Sequence, residues 1–465
     1  MTKFQMFLNE MRGKRVAVLG IGVSNRPLIS LLLRAGAVIT ACDRKEEDAL
    51  GDIAQELKRD GVAMKLGDGY LKDLDCDVIF RTPGMRPDVP ELAEAVKKGA
   101  KLTSEMEVFF SVCPCQIIGI TGSDGKTTTT TLIYEMLTRA GYTCHLGGNI
   151  GHPLLANAEN MKADDIAVVE LSSFQLMTMQ CSPHIAVVTN ISPNHLDVHK
   201  SYQEYMEAKK NIFAHQTNND ILVLNADNET TPAFKNDAKA RVLTFSSKGA
   251  IARGMYLEGD SVYSNISGSL QKVMERGDIR IPGKHNVENF MAAMCAVYGM
   301  VDKKIAVDTA REFSGVAHRI EFIREVDGVK YYNDSIASSP TRTIAGLNSF
   351  DDKVILIVGG KDKKIPFDEL AKMIVQNTKG LILMGRADDE NRACDKIRAC
   401  IESLPGYKGD IKMESCFSME EAVLKASQMA KAGDTVLLSP ACTSFDMFKN
   451  FEHRGDVFRE CVKAL

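Results

Sequence analysis

The sequence predicts an α/β protein with several mainly parallel sheets, and three observations support this fold class. The chain has 465 residues, which at roughly 150 residues per domain corresponds to about three domains. Short apolar strands alternate with helical stretches in three successive blocks. Hydrophobic residues make up 45% and charged residues 25% of the chain, an ordinary balance for a protein with full-sized cores.

Charge and apolar patterning argue against several classes of protein. The chain carries 57 Lys+Arg and 61 Asp+Glu, a net charge of −4, whereas a nucleic-acid-binding surface needs a basic excess. No run of roughly 18 apolar residues occurs, and residues 1–14 lack the apolar core of a signal peptide. The 12 cysteines are scattered, mostly among apolar neighbours, which indicates reduced thiols. We therefore expect a cytoplasmic protein with no membrane span and no nucleic-acid partner.

The first block begins with a strand, a turn, a helix and a second strand, the pattern of a parallel βαβ unit. Its predicted strands cover residues 15–19, 38–42 and 77–80, and its predicted helix covers residues 27–35. Gly20-x-Gly22 and Asp43 form an incomplete dinucleotide-binding pattern, because the third glycine is missing. NAD, another nucleotide phosphate and a plain turn all remain open here.

The second block contains the strongest local motif. Its predicted strands cover residues 116–120, 166–169, 185–188 and 221–224, its predicted helix covers 129–140, and short alternating segments at 240–282 predict an antiparallel excursion. Residues 119–128 read GITGSDGKTT, between a strand and a helix whose N-terminus can surround phosphate oxygens. Lys126 would contact the terminal phosphates, and the Thr127 hydroxyl could bind Mg²⁺. The spacing is shorter than usual, because Ile120 stands where the first glycine is expected.

Two candidate metal ligands follow strands of the same block. Glu170 follows the strand at 166–169 and His195 follows the strand at 185–188, at the sheet edge where open α/β sheets bind ligands. Mg²⁺ prefers oxygen ligands, so Glu170 is the more usual candidate. His195 is either a ligand or an exposed loop residue.

A lysine lies on the apolar face of a predicted amphipathic helix at 202–213. Tyr205, Lys209 and Ile212 share one stripe, whereas Lys210 faces away. A lysine on a buried stripe must be paired, neutralised or modified, unless its ammonium group extends to solvent.

The third block again predicts a doubly wound sheet, with strands at 353–358, 380–384 and 435–438 and a helix at 419–432. Polar turns at 333–335, 359–363 and 439–444 each follow an apolar strand. If these three turns lie together at one edge of the sheet, they would form a functional site.

Together these segments resemble the Mur ligase family over essentially the whole chain. The motifs that carry the resemblance are ITGSDGKTT (120–128), GGNIG (147–151), ELSSFQL (170–176), NISPNHLD (190–197), YMEAKKNIF (205–213), GKHNVEN (283–289), AHRIE (317–321), YNDS (332–335) and LLSPACTSFDMFKNFEHRG (437–455). With the three blocks, the resemblance predicts an N-terminal Rossmann-like UDP-binding domain (1–114), a central P-loop ATPase-like domain with a mainly parallel sheet (115–316) and a C-terminal Rossmann-like domain for ATP and the amino acid (317–465).

The resemblance implies an ATP-dependent carboxylate–amine ligase of peptidoglycan precursor synthesis. ATP would phosphorylate the terminal carboxylate of UDP-N-acetylmuramoyl-L-alanine, and the amine of D-glutamate would displace the phosphate. Two anions must meet in the first step, so cations and loop donors are needed. Addition of another amino acid remains an alternative. An NAD-dependent dehydrogenase would leave residues 119–128 unexplained, and a catalytically silent relative would not need the four residues Lys126, Glu170, His195 and Lys209 together.

The family's functional residues map onto this chain in several sets. Implied ATP contacts are Thr121, Gly122, Ser123, Asp124, Gly125, Lys126, Thr127, Thr128, Asn286, Asn289, Arg319 and Asp334. Implied contacts of the uridine diphosphate are Ile21, Gly22, Val23, Ser24, Asp43, Arg44, Thr82, Pro83 and Gly84. Implied D-glutamate contacts are Lys363, Ser444 and the backbone of Phe451. Implied catalytic residues are Lys126, His195, Lys209 and Asn149, the last touching the acceptor substrate and phosphates.

The resemblance also implies two Mg²⁺ ions and a modified lysine in a monomeric enzyme. Thr127 and Glu170 would hold one ion and His195 the second, with Lys209 carbamylated by CO₂ as an anionic ligand. Two positions depart from a simple match. Many members carry a lysine where this chain has Ile336, and Lys361 or Lys364 would have to compensate. Asp43 places an acid near the uracil pocket, so Arg44 is the stronger candidate there.

Overall fold

The fold of the computed structural model is α/β with three mainly parallel sheets, which confirms the predicted fold class. The structure describes residues 1–195, 198–363, 365–389 and 392–465. These form two compact units, one of residues 1–276 and 288–309, the other of residues 277–287 and 310–465. In the described ranges, no helix is long and apolar enough to cross a membrane. All twelve cysteines are free thiols.

The first sheet has five parallel strands in the order β3-β2-β1-β4-β5. The strands are β1 (Arg15–Leu19), β2 (Val38–Asp43), β3 (Ala63–Leu66), β4 (Val78–Phe80) and β5 (Lys101–Thr103). The helices are α1 (Lys3–Met11), α2 (Asn25–Arg34), α3 (Glu47–Leu50), α4 (Asp52–Arg59), α5 (Pro90–Lys97) and α6 (Glu105–Val112). Because β2, β1 and β4 are neighbours, the segments after Leu19, Asp43 and Phe80 lie at one edge.

The second sheet has nine strands in the order β14-β13-β12-β11-β10-β9-β6-β8-β7. The strands are β6 (Gln116–Thr121), β7 (Cys144–Gly148), β8 (Ile166–Glu170), β9 (Ile185–Val188), β10 (Ile221–Asn225), β11 (Arg241–Ser246), β12 (Gly254–Glu258), β13 (Ser261–Ser264) and β14 (Gln271–Glu275). The helices are α7 (Lys126–Arg139), α8 (Ser173–Leu176), α9 (Tyr202–Ala214), α10 (Lys284–Ala296) and α11 (Lys303–Glu312). The neighbours β9, β6 and β8 bring the ends of three strands to one edge.

The antiparallel excursion predicted at 240–282 is shorter than expected. Strands β11 and β12 continue the parallel sheet, whereas β13 pairs antiparallel with both β12 and β14. The return crossover between β10 and β11 runs through the short 3₁₀ segment Thr231–Asn236, whose tight turns carry no α-helical periodicity. The prediction was therefore wrong for the first two strands of the segment.

The second unit contains a six-stranded sheet in the order β15-β16-β20-β17-β18-β19, parallel except for the β15–β16 pair. The strands are β15 (Glu321–Val326), β16 (Val329–Asn333), β17 (Val354–Gly359), β18 (Thr378–Met384), β19 (Lys412–Cys416) and β20 (Thr435–Leu438). The helices are α12 (Pro340–Leu347), α13 (Asp368–Asn377), α14 (Ala393–Glu402), α15 (Met419–Met429) and α16 (Phe451–Lys463). Apolar clusters cover both faces of the sheet, so all six residues of β17 are buried.

Candidate active site

The loop between β6 and α7 is shaped by two glycines that no larger residue could replace. A Cβ atom on Gly122 would lie 1.9 Å from Thr189 Oγ1. Gly125 has a φ of +77°, and a Cβ there would lie 2.3 Å from Asn289 Oδ1. Helix α7 begins directly after Gly125, three residues earlier than predicted, so its first-turn N–H groups lie at the loop. This is the backbone arrangement that binds phosphate.

The segment that follows β9 fixes this loop in place. Asn190 Oδ1 accepts from Asp124 N at 2.9 Å, and Asn190 Nδ2 donates to Asp124 O at 3.1 Å. The Ser123 hydroxyl donates to Ser192 O at 2.9 Å and shares a hydrogen bond with the Tyr205 hydroxyl at 2.8 Å. The loop is therefore preformed, and the Asp124 amide is already used by the protein.

Glu170 ends β8 at the same edge of the sheet and is 1% exposed. Its Oε1 atom accepts from Asn149 Nδ2 at 2.8 Å, and its carbonyl accepts from Asn149 N at 2.8 Å. Its Oε2 atom is buried and has no hydrogen-bond partner in the part of the chain that the structure describes. A buried carboxylate oxygen without a partner is costly, and a cation bound there would compensate that cost.

Lys209 lies on the apolar face of α9, where the helical periodicity places it, and is 2% exposed, so its ammonium group does not extend to solvent. Its Nζ donates to Gly122 O at 2.8 Å and to Thr121 Oγ1 at 3.1 Å, and it lies 4.9 Å from the centre of the Tyr205 ring. Burial, and secondly the positive charge of Lys126, hold the pKa of Lys209 well below its usual range. The amine is thus more easily neutral than that of an exposed lysine.

The pKa of Lys210 shifts in the opposite direction. Its Nζ lies 2.9 Å from Asp237 Oδ2 and 3.1 Å from Glu207 Oε1. The hydrogen bond that Lys210 donates to Asp237 is the main cause that raises the pKa of Lys210. The two adjacent lysines therefore differ in how readily they lose a proton, because only Lys209 faces the phosphate loop.

Lys126 folds back over its own loop, where Nζ donates to Gly122 O and Ser123 O, each at 2.9 Å. His195 is exposed, with a φ of +55°, and its ring packs edge-to-face against Phe174 at 5.1 Å. Leu196 and Asp197 of the same motif lie outside the described residues. In the ranges that are described, no group of three or more His, Cys, Asp or Glu side chains could hold a metal ion.

In the first sheet, Asp43 organises the loop after β1. Its Oδ2 atom accepts from Ile21 N at 2.7 Å and its Oδ1 atom from Lys45 N at 2.9 Å. Arg44 and Val23 are exposed at the same edge. Because both Asp43 oxygens already bind backbone, Arg44 remains the stronger candidate for a base contact.

In the second unit, the three predicted polar turns do meet at one sheet edge. The Ser439 hydroxyl donates to Asp334 Oδ2 at 2.8 Å, and Lys361 N donates to Thr443 O at 2.9 Å. Burial raises the pKa of Asp334 to about 7. Ser444 is buried in the same region, whereas the Lys363 side chain is exposed.

The remaining candidates of this unit lie beside the turns. Asn286 is buried and its amide donates to Pro282 O at 2.5 Å. The Phe451 carbonyl accepts from the Ser335 hydroxyl at 2.8 Å. The cation that contacts Ile336 is Arg342, whose NH1 donates to Ile336 O at 3.2 Å and whose charge acts on Asp334. Lys361 is exposed, and Lys364 lies outside the described residues.

Sequence reasoning missed several buried or partly buried charged groups. Arg81 and Arg86 flank the turn 82–84, and they donate hydrogen bonds to Phe174 and Thr178 and to Glu204 of α9, respectively. Arg454 is fully buried and donates to Ser335 O and Cys442 O at 2.7 and 3.0 Å. The only sequence signal for Arg81 is an arginine directly after an apolar strand.

Comparisons with known proteins match nearly the whole chain. The model of the Mur ligase middle domain matches residues 120–297, and the model of the Mur ligase glutamate ligase domain matches residues 318–442. The UDP-N-acetylmuramoylalanine--D-glutamate ligase of Acetivibrio thermocellus is 52% identical, covering 100% of this chain and 99% of that protein. The protein of the same name from Clostridium botulinum (strain Okra) is 53% identical, with 100% of both chains covered.

Solved structures show the same fold at low sequence identity. The UDP-N-acetylmuramate-alanine ligase of Thermotoga maritima aligns with a TM-score of 0.58 at 18% identity, covering 97% of this chain and 99% of that one. A UDP-N-acetylmuramoyl-L-alanyl-D-glutamate--2,6-diaminopimelate ligase aligns with a TM-score of 0.58 at 19% identity, with 92% of each chain covered. These two likenesses concern the fold alone.

Proposed function

The chain belongs to the Mur ligase family, a family of ATP-dependent amide ligases, and from this premise we propose that it joins D-glutamate to UDP-N-acetylmuramoyl-L-alanine in peptidoglycan precursor synthesis. The observation that carries the proposal is the convergence of Lys126, Glu170 and Lys209 at the edge formed by β6 and β8. The full-length relatives of that name support the choice of D-glutamate.

The chemistry requires a carboxylate to become an electrophile. A carboxylate oxygen attacks the γ-phosphorus of ATP, the bond to the bridging oxygen breaks, and ADP leaves. The amine of D-glutamate then attacks the acyl carbon, phosphate departs with the bonding electron pair, and the amine loses a proton. Lys126 and the N-terminus of α7 offset the repulsion between the carboxylate and the triphosphate.

The residues present fit Mg²⁺. A cation would compensate the orphaned Glu170 Oε2 atom, and Thr127 lies in the first turn of α7. Thr127 and Glu170 would hold one ion, and His195 with a carbamylated Lys209 would hold the second. Bound Mg²⁺ supplies positive charge that neutralises the phosphate oxygens.

The buried amine of Lys209 suits carbamylation by CO₂. An unperturbed lysine is only about 0.04% neutral at pH 7, so a lowered pKa greatly increases the reactive form. The nitrogen lone pair attacks the carbon of CO₂, one C=O π pair moves to oxygen, and the nitrogen loses a proton. The product is an anion beside Lys126, so a repulsive pair becomes an attractive one.

Substrate binding divides along the chain in this proposal. Residues 1–114 take the uridine diphosphate through 21–24, Arg44 and 82–84. Residues 115–316 take ATP through the phosphate loop and Asn289, with Asn149 at the acceptor substrate. Residues 317–465 take D-glutamate through Lys363, Ser444 and Phe451, while Arg319 and Asp334, with Asn286, complete the ATP contacts. The enzyme would act as a monomer in the cytoplasm.

Phosphate release from ATP tests the proposal. The enzyme is supplied with Mg²⁺, bicarbonate and UDP-N-acetylmuramoyl-L-alanine, and D-glutamate, L-glutamate, L-alanine and glycine are added in separate reactions. We expect ADP, phosphate and the glutamyl product, identified by mass, with D-glutamate only. Turnover with another amino acid would reassign the substrate, and turnover with none would refute the proposal. A titration with NADH, expected to give no binding signal, tests the dehydrogenase alternative.

A further inference from the structure

Two arginines bracket the turn Thr82-Pro83-Gly84, to which the proposed function assigns the uridine diphosphate. Arg81 directly follows β4, and Arg86 comes two residues after the turn. Both side chains donate to segments that connect strands of the second sheet, Arg81 to Phe174 and Thr178 and Arg86 to Val198 and Glu204. We propose that Arg81 and Arg86 are positioning residues, which hold the sugar-nucleotide turn in register with the catalytic elements at β8 and α9. This inference rests on the proposed function.

Arg81 is the more buried of the two, at 1% exposure. Its NH1 donates to Pro83 O at 3.2 Å and to Met85 O at 2.9 Å, so it shapes the turn itself. Its NH2 donates to Phe174 O at 3.0 Å and to Thr178 Oγ1 at 2.8 Å. One guanidinium therefore bonds both to the turn after β4 and to the segment that contains α8.

The contact with Phe174 leads directly to the candidate metal ligands. Phe174 lies on α8, four residues after Glu170, and its ring packs on His195 at 5.1 Å. The same ring stacks on His199 at 5.2 Å, with an angle of 10° between the planes. Fixing the Phe174 backbone thus fixes the surface against which His195 packs.

Arg86 makes the second connection through an ion pair. Its NH1 and NH2 groups donate to the two oxygens of Glu204 at 2.9 and 2.8 Å, and NH1 also donates to Val198 O at 2.9 Å. Glu204 lies in the first turn of α9, the helix that carries Lys209. The Arg86 hydrogen bonds lower the pKa of Glu204 to about 2, so this pair stays ionised at neutral pH.

Only arginine can make these connections. A guanidinium presents five N–H donors in a rigid plane and can serve acceptors on two sides at once. Lysine keeps the charge but concentrates its donors on one nitrogen, so it cannot form the bidentate pair with Glu204. Substitution by lysine therefore keeps the positive charge but no longer fixes the turn 82–84 relative to β8 and α9.

The Arg86→Lys variant tests whether the turn can be displaced relative to the catalytic residues without weakening nucleotide binding. The dissociation constant of UDP alone is measured by calorimetry, and kcat/KM is measured for UDP-N-acetylmuramoyl-L-alanine with ATP and D-glutamate. We expect the UDP dissociation constant to stay within about twofold, and kcat/KM to fall at least about tenfold, because the reacting carboxylate is misplaced. Unchanged kcat/KM, or a UDP dissociation constant that rises by the same factor, would overturn the inference.

Two further variants and a control complete the experiment. Glu204→Gln should reproduce the Arg86→Lys defect, and the double variant should be no worse than either single one, because each change breaks the same bidentate contact. Arg81→Lys should weaken UDP binding as well, since Arg81 also shapes the turn. Arg15→Lys, whose partners Asp75 and Asp77 lie in the segment before β4, should leave both quantities unchanged.

Thermal unfolding is measured to check that each variant is folded at the assay temperature. Additive effects of Arg86→Lys and Glu204→Gln on kcat/KM would count against a shared contact between these two residues. A wild-type enzyme that neither binds UDP nor forms the product would refute the proposed function. A wild-type enzyme that does both, with arginine variants that match it, would refute the register alone.

Discussion

Lys126 and Lys209 donate hydrogen bonds to one and the same carbonyl oxygen, that of Gly122, at 2.9 and 2.8 Å. Two amines that converge on one acceptor repel each other when both are charged, and the more buried amine is the one that more readily loses its proton. Reaction of the Lys209 amine with CO₂ would relieve this repulsion. The pair is therefore built for one cation and one anion.

The first prediction concerns the role of Lys209 as a carbamate. Lys209→Ala should reduce ligation to background, because the anionic metal ligand is lost, and formate or acetate at high concentration should restore part of the rate. The assay is ADP formation with and without the added carboxylic acid. Lys210→Ala is the matched control and should stay active, because Lys210 pairs with Glu207 and Asp237 away from the loop. An alanine variant at 209 that keeps most of its activity would defeat the assignment.

The second prediction concerns Mg²⁺ at Glu170. Glu170→Gln keeps an acceptor for Asn149 but removes the charge of the orphaned oxygen. The concentration of Mg²⁺ needed for half-maximal activity should rise at least about tenfold. Binding of Mn²⁺ in the presence of ATP, followed by electron paramagnetic resonance, should weaken in parallel. Glu159→Gln, at an exposed position, should change neither measurement; an equal shift in both variants would show that the effect is not local.

The sequence predicts the strand positions and the buried lysine well, because apolar periodicity records them directly. Strands β1, β9 and β20 have the predicted bounds, and Lys209 is buried where the helical stripe places it. Arg81 and Glu105 could not be found in this way. Arg81 bonds to Phe174 and Thr178, which lie 93 and 97 residues further along the chain. Glu105 bonds to Leu155, which lies 50 residues further along, and no local pattern reveals such partners.

The third prediction concerns Ile336, which stands where the family resemblance implies a lysine. Arg342 donates to the Ile336 carbonyl from α12. Arg342→Ala should raise the KM of ATP or of D-glutamate at least about fivefold, as expected when one charge-assisted contact is lost. Adding Ile336→Lys to that variant should recover part of the loss. Arg324→Ala, a partly exposed arginine that donates to Lys463 O in the same unit, is the control. No change in either KM would rule out Arg342 as the substitute cation.

The last prediction concerns pH and the buried carboxyl of Glu105. Burial raises its pKa to about 7, although Leu155 N donates to Oε1 at 2.7 Å. The folded chain thus keeps the Glu105 proton up to about pH 7, whereas the unfolded chain releases it near its ordinary value of 4.5. Stability from this group is present at low pH and is lost as the pH rises towards 7, by at most about 1.4 kcal/mol per pH unit.

Glu105→Gln removes this titration but keeps the acceptor for Leu155 N. The unfolding temperature of the variant should therefore increase relative to wild type between about pH 5 and about pH 7 and then level off. Thermal unfolding across that range, followed by circular dichroism, measures the difference. Glu56→Gln on α4 removes an exposed carboxylate and should show no such trend. If the difference between Glu105→Gln and wild type is independent of pH, Glu105 is ionised in the folded chain and its hydrogen bonds compensate for its burial.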